Sequence, residues 1–201
     1  MDDFGQHCPF SRFTLDLFAH SQINSAIYHL QHRSGFNINI ILYLLWLAKA
    51  SYGRVTKRQI KILQSQVALW HQRVIAELKY THALVANHPD PIAIQIKNEI
   101  QQEIAKAHLI EQRMLYDLKL KTRLLHRSPQ QQLIDACTNI AHYCELKNEL
   151  LLAEDQAALS HLFQATFDVI DSTEITKQIQ LSLERFHLLS EKPVQMMWQE
   201  F

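Results

Sequence analysis

Apolar residues recur along this chain at spacings of three and four and nowhere in strict alternation, so the pattern predicts helices throughout. Pro9 suits a first helical turn, and Phe10, Phe13, Leu17 and Phe18 follow at helical spacing, which predicts a helix over 9–20. Ile23, Ala26, Ile27 and Leu30 give the second helix a single apolar stripe. Ser21 or Asn24 is its candidate cap, and Gly35 its terminating C′ residue. The next stretch, Gly35 to Ala48, is apolar on nearly every side, so it is expected to be buried all round at the centre of an all-helical domain. Asn37 or Asn39 would cap this central helix, placed at 37–52, and Gly53 would stop it.

Thr56 with Gln59 three residues on reads as a capping box for a fourth helix. Ile60, Leu63, Val67, Trp70, Val74 and Leu78 then form a coiled-coil-like seam reaching about Val85. The run Asn87-His-Pro-Asp-Pro91 should be a tight turn, because proline cannot continue a helix. A fifth helix with the stripe Ile92, Ile96, Ile100, Ile104, Ala107, Ile110, Met114 and Leu118 is expected over about 91–125. The pair would form a long antiparallel hairpin over about 56–125. Further helices are expected from Ser128-Pro129 to about Ala153, over 155–170, and over 173–190 with Thr173 as cap. The expectation is an all-α bundle of about seven to eight helices in a single domain, 1–201. Within it, 9–86 and 91–190 are the two helical parts and 191–201 an apolar tail.

Composition narrows the picture. Lys+Arg and Asp+Glu are 20 each, so no net positive field points to nucleic acid. Three glycines exclude a phosphate loop, a dinucleotide fingerprint and a Gly-x-Ser-x-Gly elbow. Cys8, Cys137 and Cys144 have no metal-ligand spacing, and an odd count fits reduced thiols in a cytosol. Residues 1–8 have no basic-then-apolar leader pattern, and the apolar run 36–50 is too short to span a bilayer, so a cytoplasmic protein is expected. Twelve histidines make charge, and with it partner affinity, sensitive to mild acid.

The first ~80 residues resemble a proteobacterial family of unknown function. The residues that carry this are Phe13-Thr-Leu15, Leu30-Gln31, Gly35 with Asn37-Ile-Asn39, Leu42, Trp46-Leu47, and then Trp70 with Arg73. The chain departs from that pattern at Ser21-Gln22, where the family has Pro-Gly, and at Ala76-Glu77-Leu78-Lys79, where it has an arginine-rich run. The resemblance implies a fold and no catalytic residue. Composition and size also look like those of small helical adaptors of bacterial secretion assemblies, one of which belongs to the Dot/Icm type IVB coupling complex.

Candidate chemistry is sparse. His108/Glu111 and His142/Glu145 each place an imidazole and a carboxylate on one helix face, as bundle-core metal sites do. However, the order is the reverse of Glu-x-x-His, and the extra carboxylates, Glu99 and Glu103, sit beside the stripe rather than in it. Asn37 and Asn39 interrupt a buried run; one should cap, and the other needs a partner, for which Gln31 is the candidate. Trp46 and Trp70 fit core stripes, and Asp168 and Asp171 flank a helix end. Arg54, Lys57, Arg58 and Lys61 form a basic cluster suited to an acidic segment. Met196, Met197, Trp198 and Phe201 make a tail apolar enough to dock on another chain. The expected function is a non-enzymatic adaptor or chaperone-like subunit that binds another protein chain, with no cofactor, no metal and no nucleic acid. The competing reading is a metal or small-molecule site in the bundle core.

Overall fold

A computed structural model describes residues 8–120, 123–148 and 150–189. The helices are α1 (Pro9–Phe18), α2 (Ser21–His32), α3 (Ile38–Lys49), α4 (Lys57–Trp70), a π-helical turn (His71–Ile75), α5 (Ala76–Ala86), α6 (Pro91–Asp117), α7 (Pro129–Lys147), α8 (Ala153–Thr166) and α9 (Ser172–Arg185). No strand occurs among the described residues, only one isolated bridge between Leu151 and Leu189. The fold is the all-α bundle that the helical spacing implies.

Helix α3 is the axis. Every residue from Ile38 to Ala48 is buried, and α1, α2, α6, α7 and α8 all pack against it. A helix that is apolar all round is stable only when ringed in this way. Phe10, Tyr43, Tyr52 and Tyr116 close around the Trp46 ring, with centroids 5.0–5.7 Å apart along the cluster. No described helix is long and apolar enough to cross a membrane.

Two loops hold α3 in register. Gly35 and Gly53 adopt positive φ, 61° and 82°, inside the loops that follow α2 and α3, but neither ends its helix. Helix α2 stops at His32, and α3 stops at Lys49 rather than at 52, where Ser51 takes the left-handed turn at φ 64° and Tyr52 N donates back to Leu47 O at 2.8 Å. The buried Asn139 of α7 then staples the loop after α3. Its Oδ1 accepts from Val55 N at 2.7 Å and its Nδ2 donates to Gly53 O at 3.2 Å. Capping follows the sequence at Thr56 and Ser128, both with complete capping boxes. It differs at two helices. The N-cap of α2 is His20, with no side-chain bond, so neither Ser21 nor Asn24 serves. The cap of α9 is Asp171, which accepts from Thr173 N at 2.8 Å, so the carboxylate takes the role expected of Thr173.

The long hairpin is present, with two corrections. Helix α6 ends at Asp117 rather than near 125. The inward stripe of the first limb also slips by one residue after Trp70. Ile75 is fully buried while Val74 and Leu78 are only half-buried. The π-helical turn absorbs one extra residue there, which a seam drawn at spacings of three and four cannot anticipate.

Candidate functional site

The site grows from the N-terminus of α3. The first N–H groups of a helix lack internal partners. Asn37 Oδ1 takes two of them, accepting from Asn39 N at 2.9 Å and Ile40 N at 3.3 Å. This orients Asn37 Nδ2 away from α3, where it donates to Glu111 Oε1 of α6 at 2.9 Å. At the second position of α3, Asn39 Nδ2 donates to Glu111 Oε2 and, at 2.9 Å, to His108 Nδ1. Its Oδ1 accepts from Gln112 Nε2 at 3.2 Å. The π turn presents His71, whose Nδ1–H donates to Glu111 Oε1 at 3.0 Å. Trp70, beside it, donates its indole N–H to Ala107 O at 3.0 Å and pins α4 to α6.

Glu111 is therefore a fully buried carboxylate with three side-chain donors. Burial pushes its pKa up, but the hydrogen bonds from His71, Asn39 and Asn37 outweigh that and hold it below the ordinary value. His108 goes the other way. Burial, followed by the nearby Lys79, lowers it to about 4. The ring is neutral near pH 7 and accepts Asn39 at Nδ1, so its proton sits on Nε2. Burial lowers Lys79 to about 8, against the attraction of Glu111.

Above this polar floor lies a cleft of about 780 Å³ between α1–α2 on one side and α5–α6 on the other. Leu15, Phe18, Ile27 and Tyr28 form one wall and Ala83, Ile104 and Leu109 the other, while Thr14, Gln31, Asn39, Lys79, His108 and Gln112 face it from below. A volume of this size with apolar walls and a few convergent polar groups is the usual form of a ligand site.

Beyond the cleft the hairpin becomes an arm. Helix α5 buries none of its residues, and between Val67 and Leu115 the described chain gives the main apolar cluster only the half-buried Met114 packed against it. Near the tip Tyr80, Leu84, Ile92, Ile94 and Ile96 are all exposed, the last being the least so at 41%.

The residues singled out in the sequence divide among these features. Asn37 is the cap of α3. The partners of Asn39 are Glu111, His108 and Gln112, not Gln31, whose Nε2 is buried without a hydrogen-bond partner among the described residues. His108 and Glu111 do meet inside the fold. His142 and Glu145 go elsewhere, His142 Nδ1 to Val55 O at 2.9 Å and Glu145 to Lys57 at 2.9 Å. Glu99 and Glu103 are exposed. Among the described residues, no group of three or more His, Cys, Asp and Glu converges on a point that could hold a metal ion. In the basic cluster, Arg54 pairs with the buried Asp135 at 2.8 Å and Lys57 with Glu145, while Arg58 and Lys61 are exposed. Met196, Met197, Trp198 and Phe201 lie outside the described residues. Trp46 is core, and Asp168 is exposed, 3.8 Å from Lys49.

Sequence reasoning missed His71, Lys79, Gln112 and Thr14. No spacing signalled the first: Val74 follows Trp70 by four, as in a regular seam, and the step of five to the buried Ile75 shows only in the structure.

A family model described as a protein of unknown function (DUF2390) matches residues 10–120, more than half of the chain. The match runs from α1 to the end of α6 and takes in the polar floor, both walls of the cleft and the arm. Comparison with curated proteins and with solved structures gives no match.

Proposed function

The chain belongs to the DUF2390 family of unknown function, and from that premise we propose that it is a non-enzymatic binding protein that engages another polypeptide through the arm of its helical hairpin. The observation that carries this reading is the arm itself. Leu84 of α5 and Ile92, Ile94 and Ile96 of α6 are exposed on a hairpin tip whose α5 limb buries no residue. Large apolar side chains left exposed on a packed hairpin mark a candidate interaction surface, and Ile92 and Ile96 lie one turn apart on one face of α6. The mechanism is packing of a partner's apolar helix face against the two helices, at roughly 25 cal/mol per Å² of surface removed from water.

The absence of catalysis belongs to the same proposal. Glu111, the buried carboxylate beside the cleft, has both oxygens occupied by donors and is held ionised, which suits a structural acceptor better than a proton carrier. The finer version is an adaptor or chaperone-like subunit of a bacterial secretion assembly, acting in the cytoplasm. It rests on composition and size.

The test is affinity capture from the native cell with the wild-type chain and with Leu84→Asp/Ile92→Asp. One stoichiometric partner, lost with the double variant while the melting temperature holds, is the expected result. Either no stable partner, or one retained by the double variant, would contradict the reading.

A further inference from the structure

We propose that the cleft between α1–α2 and α5–α6 is a binding site for a small amphiphile with an aliphatic body and a carboxylate head. This site is separate from the arm's outer face and stands independently of the protein partner proposed above.

The polar groups on the floor carry the inference, because they are not balanced. Asn39, Gln112 and Glu111 bond one another, Gln112 Nε2 donating to Asn39 Oδ1 at 3.2 Å, while the Thr14 hydroxyl reaches Ser11 O at 2.7 Å and Gln112 Oε1 at 3.1 Å. What remains facing the cleft is a set of donors. Gln31 Nε2 is buried with no partner among the described residues. His108 keeps its Nε2–H once Asn39 has taken Nδ1. Lys79 is half-buried in the lining and pairs with no carboxylate among the described residues. A buried donor without an acceptor is costly to keep dry, so such a set calls for an acceptor from outside.

Charge narrows the class of acceptor. The lining contains Lys79, His32, His82 and His108 and no aspartate or glutamate. Glu111 lies behind Asn39, hydrogen-bonded to His71, and is not part of the lining, although its charge attracts Lys79 from there. An anionic head beside Lys79 and Gln31 would meet one cation and two neutral donors, an arrangement that fits the two oxygens of a single-charged carboxylate. The walls fix the rest of the ligand. Leu15, Phe18, Tyr28 and Leu109 are at least partly exposed where they line the cleft, so an aliphatic chain laid across them removes apolar surface on both sides from water.

The test uses the full chain, with octanoate, 1-octanol and octyl phosphate as probes, followed by heteronuclear NMR and calorimetry. Octanoate is expected to bind one to one, with shifts confined to the cleft, at least tenfold tighter than 1-octanol. Lys79→Met should bring octanoate to the level of 1-octanol and leave 1-octanol unchanged. Because that variant disturbs a half-buried position, a second readout is taken on the wild-type protein: the Lys79 ammonium should titrate at higher pH with octanoate bound. Leu84→Asp/Ile92→Asp should change none of this, which separates failure here from failure of the arm. Equal affinity for octanoate and 1-octanol, an octanoate affinity indifferent to Lys79→Met, or tighter binding of octyl phosphate would each overturn the assignment.

Discussion

Asn39 of α3 and Glu111 of α6 stand 72 residues apart in sequence and form a direct hydrogen bond inside the bundle, where both are almost wholly removed from solvent. Through this contact the central helix grips the hairpin. Asn37 and His71 converge on the same carboxylate, so one side chain fixes the α3 cap, the π turn and α6 together.

Replacement of Glu111 by Ala removes the acceptor shared by the buried Asn39 and the half-buried Asn37 and His71. The expected cost is about 3 kcal/mol, larger than for a cavity alone of that size. Urea denaturation of the variant against wild type measures it; a loss below about 1 kcal/mol would mean that the network is not buried as described.

Acid should loosen the same region. Imidazole in an unfolded chain titrates near 6.5, whereas His108 in the fold is held at about 4. As pH falls through that window the unfolded state binds the proton first, so stability is lost from about pH 6.5 down to about 4. Glu111 adds to the loss at the acid end, because its folded pKa lies below its ordinary value and its contribution disappears as pH falls through it. His108→Gln, which can still accept from Asn39, should flatten the upper part of this profile. Melting temperatures at half-unit steps would show it; parallel profiles for the two proteins would contradict it.

Gly53 has a φ of 82°, and an added Cβ would stand 2.8 Å from Leu125 Cδ1. Gly53→Ala is therefore expected to cost about 1–3 kcal/mol through backbone strain and crowding. A calorimetric melt decides it, and an unchanged or raised melting temperature would show that the turn relaxes.

Cys137 and Cys144 are buried on one face of α7, and burial pushes both thiols up to about 12. Neither should react with a thiol reagent at pH 8 in the native protein, and both should react at once in denaturant. Rapid native labelling of α7 would contradict its packing.

The helical layout was legible because apolar period and capping residues agree along most of the chain. Asn37 at the start of an apolar run, Thr56 with Gln59, and Ser128 with Pro129 each mark a helix start that the structure keeps. The polar floor was legible only in fragments. Asn39 and Glu111 each stood out as polar groups at awkward places, but nothing in a one-dimensional pattern joins residues 72 positions apart. His71 was hidden by the π turn, which takes up one residue and shifts the stripe, and Lys79 by the same shift, which sets it rather than Leu78 four residues beyond the buried Ile75. The donors of the cleft are visible only once both of its walls stand opposite each other.

The most direct measurement of the proposed function is site-specific photo-crosslinking in the native cell, with the reactive side chain placed in turn at Leu84, at Ile92 and at Leu69. Leu69 is 72% exposed on α4 and serves as an equally apolar surface control away from the arm. A single protein adduct from Leu84 and Ile92, absent from Leu69, is the expected result. An adduct with a second copy of this chain would make the partner itself, whereas adducts from all three positions alike, or from none, would contradict binding through the arm.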